Sequence, residues 1–136
     1  RSGGPPDQPG GWRFASDVLG DFGPGQIRRP DVCGWRREHL PEMPREVPIT
    51  VIPDWICEIL SSNRATDLVE KMRLYQQAHV PHYWIIDPEA EMLTVQRWHE
   101  DGYLHVLGAR RGERIRAEPF HAVELAVGVF FGDDEE

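Results

Sequence analysis

A carboxylate within an apolar segment constrains this chain more than any other feature of its sequence. Residues 52–61 read Ile-Pro-Asp-Trp-Ile-Cys-Glu-Ile-Leu-Ser, and the middle of this segment is rich in branched and aromatic residues. Such a composition predicts a buried β-strand. An unpaired carboxylate is costly to bury, so Glu58 needs a partner, a metal ion or an open cleft.

The length and composition of the chain indicate a single globular domain. The chain has 136 residues, of which 40% are hydrophobic and 28% are charged, as in soluble globular proteins. We place the domain at residues 12–132, between a Gly- and Pro-rich terminus (1–11) that we expect to be a loop or disordered and an acidic tail (133–136). No apolar run approaches the roughly 20 residues that a membrane helix needs, so we expect no membrane partner.

Charge and cysteine content limit the classes of function. The formal net charge of -8 argues against a protein coated in basic patches for nucleic acid, but it allows a local basic surface. Cys33 and Cys57 lack the spacing of metal ligands, so we expect free thiols in the reducing cytoplasm. The first residue is Arg1 and no signal-peptide pattern follows it; we expect a chain truncated at its N-terminus.

The order of secondary structure along the chain predicts an α/β fold with a mixed sheet. A helix at 67–78, with Thr66 as its N-cap, follows the third strand, and this order predicts a crossover to a parallel fourth strand. The turn at 99–102 predicts a hairpin. Residues 123–131 are ambiguous between strand and helix, and we interpret them as a packed terminal segment. The predicted strands are residues 12–18, 30–37, 51–60, 83–86, 92–98, 103–107 and 114–116.

Pairing between the second and third strands would bring a second carboxylate to Glu58. Their connection shows no predicted secondary structure, so an antiparallel pair is the simplest arrangement. The register that we predict places Asp31 opposite Glu58 on one face, with Cβ atoms about 4.5–5.5 Å apart. In the same register Cys33 lies opposite Ile56. A slip of one residue would turn the two carboxylates to opposite faces.

Two converging carboxylates suit a hard divalent cation, Mg²⁺ or Mn²⁺, which takes oxygen ligands at about 2.0–2.1 Å and completes its shell with water and phosphate. Lys71, on the next helix, could reach this point and offset charge on a phosphate. Spacing alone favours a surface salt bridge between Lys71 and Asp67, and Asp31 could equally be a strand-start residue. Asp54 lies roughly 13 Å from Glu58 at about 3.3 Å per residue, so we assign it a structural role.

Several motifs in series resemble the Uma-two family of restriction-endonuclease-like proteins with the PD-(D/E)XK fold. The resemblance extends from about Gly10 to the end of the chain. It implies a mixed β-sheet core with a flanking helix and a metal-dependent phosphodiesterase site in a bacterial protein. Asp31 and Glu58 would be the metal ligands, and Lys71 would complete the catalytic set. The matching segments are residues 30–32, 53–61, Asp67 with Lys71 and Tyr75, residues 80–88, and Glu118-Pro119-Phe120.

The chain departs from the family pattern at three points. The usual lysine, two residues after the second acid, is replaced by Leu60, and Lys71 of the following helix takes its place. The family normally begins with a helical segment before the first strand, and we expect that segment to be missing here. Glu residues are usual on the family's first strand, where Asp17 is the candidate in this chain.

Two classes of function remain open from the sequence. The first is a Mg²⁺-dependent nuclease that hydrolyses phosphodiester bonds in DNA. The second is a catalytically inactive endonuclease-fold domain used for binding or dimerisation, which the acidic net charge favours. A hydrolase of small phosphorylated molecules is a further alternative, and an exposed edge strand could support a homodimer.

Two groups of arginines could contact nucleic acid. We interpret the late group as a solvated hairpin edge, where arginine guards against edge pairing. The group near the proposed site comprises Arg28, Arg29, Arg36, Arg37, Arg64 and Arg73, and the late group comprises Arg110, Arg111, Arg114 and Arg116.

Overall fold

The computed structural model of the protein describes residues 9–61 and 64–134. Short 3-10 helices lie at Pro9–Gly11 and Val127–Phe131. The remaining elements are β1 (Trp12–Ser16), β2 (Gly20–Asp21), β3 (Ile27–Arg28), β4 (Val32–Arg36), β5 (Trp55–Ile59), α1 (Arg64–Gln77), β6 (His82–Asp87), β7 (Met92–Arg97), β8 (Leu104–Arg110), β9 (Arg114–Ile115) and β10 (Leu125–Ala126).

A mixed sheet of six strands forms the centre of the fold, in the order β1-β4-β5-β6-β7-β8. Strands β5 and β6 are parallel, while every other neighbouring pair in this sheet is antiparallel. Because α1 connects β5 to β6, the predicted strand–helix–strand crossover and the α/β class are confirmed. The predicted hairpin is also present as β7 and β8.

The register between β4 and β5 agrees with the sequence prediction. Cys33 pairs with Ile56, and Val32 pairs with Cys57. Continuing the same register by one residue places Asp31, which directly precedes β4, opposite Glu58 of β5. The two candidate carboxylates therefore leave the sheet on the same face.

The sheet is covered by apolar residues on both faces. On one face, Ile56 and Cys33 belong to a buried cluster that includes Tyr75 of α1. On the other face, Cys57 belongs to a cluster with Phe120 from the C-terminal segment. Since side chains alternate along a strand, Glu58 faces α1 together with Ile56.

Both cysteines are free and buried, as expected. They lie in different clusters on opposite faces of the sheet. Burial raises the pKa of the Cys33 thiol to about 12 and also raises the pKa of Cys57. Thiols held in their neutral form are poor nucleophiles, so these two cysteines serve as core residues.

Several predicted boundaries differ from the structure. Helix α1 begins at Arg64, so the assignment of Thr66 as its N-cap is wrong. Strand β5 begins at Trp55 rather than at residue 51, because Pro53 cannot donate to a strand ladder. The predicted strand at 114–116 is only two residues long and pairs with β10 outside the main sheet.

The C-terminal segment packs against the sheet, as we interpreted it. It forms β10 and then the 3-10 helix Val127–Phe131, in which Val127 is fully buried. Beyond it, Asp133 of the predicted acidic tail forms an ion pair with Arg111. The predicted N-terminal loop lies outside the described residues at 1–8, as does the end of the tail at 135–136.

A membrane-spanning helix would need both length and an apolar surface, and no helix within residues 9–61 and 64–134 has both.

Candidate functional site

Glu58 is the buried carboxylate at the centre of the site. It is only 2% exposed and lies one residue before the end of β5. The ammonium group of Lys71 donates to Glu58 Oε1 at 3.0 Å. The hydroxyl of Tyr75 donates to Oε2 at 2.6 Å. The partner that the sequence required for Glu58 is therefore supplied by α1.

One face of α1 presents three polar side chains to this site at a spacing of four residues. Lys71 Nζ lies 3.2 Å from Asp67 Oδ2 as well as 3.0 Å from Glu58 Oε1. Lys71 therefore reaches Glu58 and also forms the salt bridge to Asp67 that its spacing indicated; its role toward a phosphate stays a prediction. The sequence assigned no site role to Tyr75. Its position one turn beyond Lys71 places it on the same face of the helix, and this spacing could have pointed to it.

Asp31 reaches the same point from the loop before β4. Its Oδ2 accepts a hydrogen bond from the backbone N–H of Ile59 at 2.7 Å. Asp31 lies opposite Glu58 when the β4–β5 register is continued by one residue, and the neighbouring carboxyl group helps to raise the pKa of Glu58. The structure thus brings Asp31, Glu58 and Lys71 together. Ile59 itself is 49% exposed, so the carboxylate pair lies where the core meets the surface.

The protonation of the site reflects competing effects. Burial is the largest, and it raises the pKa of Glu58 to about 6, while the hydrogen bond from Tyr75 and the charge of Lys71 oppose it. Burial lowers the pKa of Lys71, but the carboxylates of Glu58 and Asp67 together raise it above its ordinary value. At neutral pH the site therefore holds a carboxylate beside a protonated amine.

The donor set fits a divalent cation of the Mg²⁺ type. Asp31 and Glu58 offer hard carboxylate oxygens from facing positions of the β4–β5 register, and a cation between them would offset their negative charge. In the part of the chain that the structure describes, no three His, Cys, Asp or Glu side chains form a metal cluster. A site with two protein ligands suits Mg²⁺, which keeps several waters and binds substrate phosphate.

Asp54 and Asp17 are two other acidic residues that the sequence singled out. Asp54 is buried and accepts hydrogen bonds from the Arg36 backbone N–H at 2.8 Å and from His39 Nδ1 at 2.9 Å. It ties the start of β5 to the end of β4, in agreement with a structural role. The backbone N–H of Asp17 donates to the Asp31 carbonyl at 3.3 Å.

The fold and this arrangement define a class of protein. A mixed α/β sheet with one carboxylate on β5, a second directly before the neighbouring β4 and a lysine on the crossover helix is a restriction-endonuclease-like architecture. The Uma2 family model, described as "Putative restriction endonuclease", matches residues 5–128. The chain belongs to this family, and the resemblance found in the sequence is confirmed.

A solved structure shares the fold. The chain is similar to "a putative nuclease belonging to DUF820 from Anabaena variabilis ATCC 29413", with a TM-score of 0.66 and 20% sequence identity. The similarity covers 89% of this chain and 68% of that one. At this identity the likeness shows the fold. No curated protein matches the chain.

Proposed function

We propose that this protein is a nuclease that hydrolyses phosphodiester bonds in DNA with a divalent cation, Mg²⁺ or Mn²⁺. The observation that carries the proposal is the position of Asp31 and Glu58 on one face of the sheet, with Lys71 Nζ 3.0 Å from Glu58 Oε1. The family description and the name of the structural neighbour, a nuclease in both cases, support the same reaction class.

Asp31 and Glu58 would hold the cation in this proposal. When bound, a divalent cation supplies positive charge that polarises the phosphodiester and lowers the pKa of water. Tyr75 orients Glu58 by donating to Oε2 at 2.6 Å, while the Ile59 N–H fixes Asp31. These hydrogen bonds hold both carboxylates in place before substrate arrives, and preorganisation of this kind reduces the cost of reaching the transition state.

Lys71 supplies a fixed positive charge beside the carboxylate pair. Its contact with Asp67 at 3.2 Å holds the ammonium group toward the site and favours its charged form. An ammonium group placed here offsets negative charge that develops on a phosphate and can position a water molecule for attack. The role is electrostatic, because an amine with a raised pKa is a poor base at neutral pH.

DNA cleavage with purified protein tests the proposal. The wild-type protein should cut plasmid DNA in Mg²⁺ or Mn²⁺ and should be inactive in EDTA. Glu58→Gln and Asp31→Asn each remove a charged oxygen donor without changing side-chain size, and we expect a loss of about 100-fold or more. Asp101→Asn is the matched control, because the Asp101 side chain is 87% exposed in the β7–β8 turn.

The reaction assignment fails if the wild-type protein with either metal cuts no DNA, or if Glu58→Gln cuts as fast as the wild type. The inactive binding or dimerisation domain would then be the better description. Equal losses in Glu58→Gln and Asp101→Asn would point to a general effect of charge rather than to this site.

A further inference from the structure

We propose that Arg28 and Arg29 form the surface that holds the DNA backbone beside the carboxylate pair, contacting phosphates that flank the reacting one. This inference rests on the proposed function and adds a substrate-binding surface to it. The sequence named two groups of arginines and interpreted the late group as a solvated hairpin edge. The structure distinguishes individual arginines by what their guanidinium groups already contact and by how near they lie to Asp31.

Two of the four late arginines, Arg111 and Arg114, are engaged by acidic side chains. Arg111 forms ion pairs with Glu91 and Asp133. Arg114 forms an ion pair with Glu124 at 3.2 Å. Their charge is largely neutralised in place, so a phosphate would have to compete with these carboxylates. This agrees with a structural role for Arg111 and Arg114, while Arg116 donates to the carbonyls of His121 and Ala122.

Arg28 and Arg29 are exposed and contact only neutral groups. Arg28 Nη1 donates to the carbonyl of Ile27 at 2.9 Å, and Arg29 Nη1 donates to the carbonyl of Asp17 at 3.1 Å. Across the described residues, neither guanidinium has a carboxylate within ion-pair distance. A guanidinium has five N–H donors, so most of the donors of each remain available to a phosphate.

The chain fixes these arginines close to the site. Arg29 is separated from Asp31 only by Pro30, whose side chain is almost completely buried. Two residues of extended chain span roughly 7 Å at about 3.3 Å per residue. Phosphates recur about every 3.4 Å of helix axis along each DNA strand, so neighbours of a phosphate at Asp31 fall within reach of an arginine side chain.

The hairpin that carries the arginines is anchored to the same core as Glu58. Phe22, between β2 and β3, packs its ring against Tyr75 with a centroid distance of 5.2 Å. The backbone N–H of Asp21 donates to the carbonyl of Ile49 at 2.9 Å. Because Tyr75 donates directly to Glu58, the hairpin and the carboxylate share a rigid support.

The overall charge makes a local surface of this kind necessary. A protein with a formal net charge of -8 repels DNA at long range, and this repulsion is screened beyond about 10 Å at 0.1 M salt. Binding must then come from short-range contacts to phosphates. Unpaired arginines beside the site provide such contacts.

The test is DNA binding in EDTA, where no divalent cation is present and cleavage cannot occur. A fluorescein-labelled duplex is titrated with protein at several salt concentrations, and anisotropy reports binding. For Arg28→Gln combined with Arg29→Gln we expect affinity to fall ~10-fold or more. The slope of log affinity against log salt should shrink by about 1.8, because each lost phosphate contact contributes about 0.9.

Three further variants control for charge and folding. Arg111→Gln with Arg114→Gln removes the same two charges and should leave the slope unchanged. Arg28→Lys with Arg29→Lys keeps both charges and should retain most of the affinity, since lysine binds phosphate as a point charge. Arg28→Gln alone removes one hydrogen bond, to the carbonyl of Ile27, so the protein should stay folded. The slope of log affinity against log salt should fall by about 0.9.

The inference is overturned if the slope is unchanged in the Arg28 and Arg29 variants, if the Arg111 and Arg114 control loses as much affinity, or if the wild type binds no DNA. These outcomes are separate from cleavage. A wild type that cuts DNA while the Arg28 and Arg29 variants bind normally would refute this surface and leave the nuclease proposal intact. If DNA binding depends on Arg28 and Arg29 but the wild type does not cut DNA in Mg²⁺, this surface is supported and the nuclease proposal is refuted.

Discussion

Tyr75 and Tyr83 are two fully buried tyrosines that differ in what their hydroxyl groups meet. Their rings pack edge to face with centroids 5.3 Å apart, so both occupy the same region of the core. Tyr75 donates to the buried Glu58 carboxylate at 2.6 Å. Within the described residues, the Tyr83 hydroxyl has no hydrogen-bond partner.

This difference gives a prediction with an internal control. Tyr75→Phe removes a donor from a buried carboxylate and should lower the free energy of unfolding by about 1.5–3 kcal/mol, the usual value for a hydrogen bond to a charged group. Tyr83→Phe removes only an unsatisfied hydroxyl and should be neutral or slightly stabilising. Urea denaturation at pH 8, where Glu58 is ionised, measures both. Equal effects would show that the Tyr75 hydrogen bond contributes nothing specific.

The main outline of the site could be predicted from individual residues. Glu58 was identified because its neighbours in sequence are apolar. Asp31 came beside it only by assuming the one register that brings the two acids together, and the structure has that register. The role of Tyr75 could not be derived, because helical spacing shows which residues share a face but not which of them reaches a given atom. Lys71 was ambiguous for a related reason, since one ammonium group contacts two carboxylates.

Secondary-structure elements were predicted well at their centres and less well at their ends. The central residues of β4, β5, β6 and β7 carry the strongest hydrophobic patterns, and all four strands were located. The ends depend on tertiary contacts that no local pattern shows. The start of β5 is one example, since Asp54, directly after Pro53, bonds to β4 through both its backbone N–H and its side chain.

A cluster around Glu118 joins β6 and β7 to the C-terminal part of the chain. His82 Nδ1 lies 3.1 Å from Glu118 Oε2, and Arg97 Nη2 donates to Glu118 Oε1 at 2.6 Å. The hydrogen bond from Arg97 lowers the pKa of Glu118. Burial lowers the pKa of His82, although the nearby Glu118 carboxylate partly offsets this.

These shifts predict a loss of stability on acidification. Because the folded state lowers the pKa of His82, the unfolded state binds the proton more readily, and stability falls as pH drops below about 6.5 toward the folded pKa. Glu118, whose pKa is lowered in the folded state, makes a second contribution to stability. This contribution is present in full above a pH of about 4.3 and is lost as pH falls through the folded pKa.

Thermal unfolding of the metal-free protein from pH 8 to pH 4 measures this dependence. In His82→Asn the unfolding temperature should fall less steeply than in the wild type between about pH 7 and about pH 5.5. His105→Asn is the control, because His105 is exposed and its ring contacts Gln96 on the β7–β8 hairpin. An identical acid limb in His82→Asn and the wild type would contradict the assignment of this loss to His82.

The whole molecule is built around two strands that are covered on both faces. The residues of β5 and β6 are almost all buried, whereas most residues of the edge strand β8 are partly or fully exposed. Trp55 and Trp84, on these neighbouring strands, pack edge to face with centroids 5.4 Å apart. Burial of this extent indicates that the centre of the sheet opens only when the whole domain unfolds.

Native-state hydrogen exchange followed by NMR tests this distribution of stability. Amides of β5 and β6 should exchange with the free energy of global unfolding and respond to denaturant with the full equilibrium slope. Amides of β8 should exchange sooner, through local fraying that is insensitive to denaturant. Slower exchange in β8 than in β5 would place the stable core elsewhere in the sheet.

The overall architecture was predictable because hydrophobic period, element order and family resemblance all indicated the same α/β sheet. Two features of the whole molecule could not be predicted from the sequence. The long connection between β4 and β5 carries no periodic pattern, yet Leu40 and Ile49 from it are buried in the core. The pairing of β9 with β10 joins short segments that only tertiary packing brings together.

The account depends most on Asp31 and Glu58 acting together as a cation site, and calorimetric titration with Mn²⁺ tests this directly. We predict one bound ion per wild-type chain at pH 8, and an affinity at least about tenfold lower in Glu58→Gln and in Asp31→Asn, while Asp101→Asn binds as the wild type does. Absence of binding to the wild type, or equal affinity in all four proteins, would contradict the central claim.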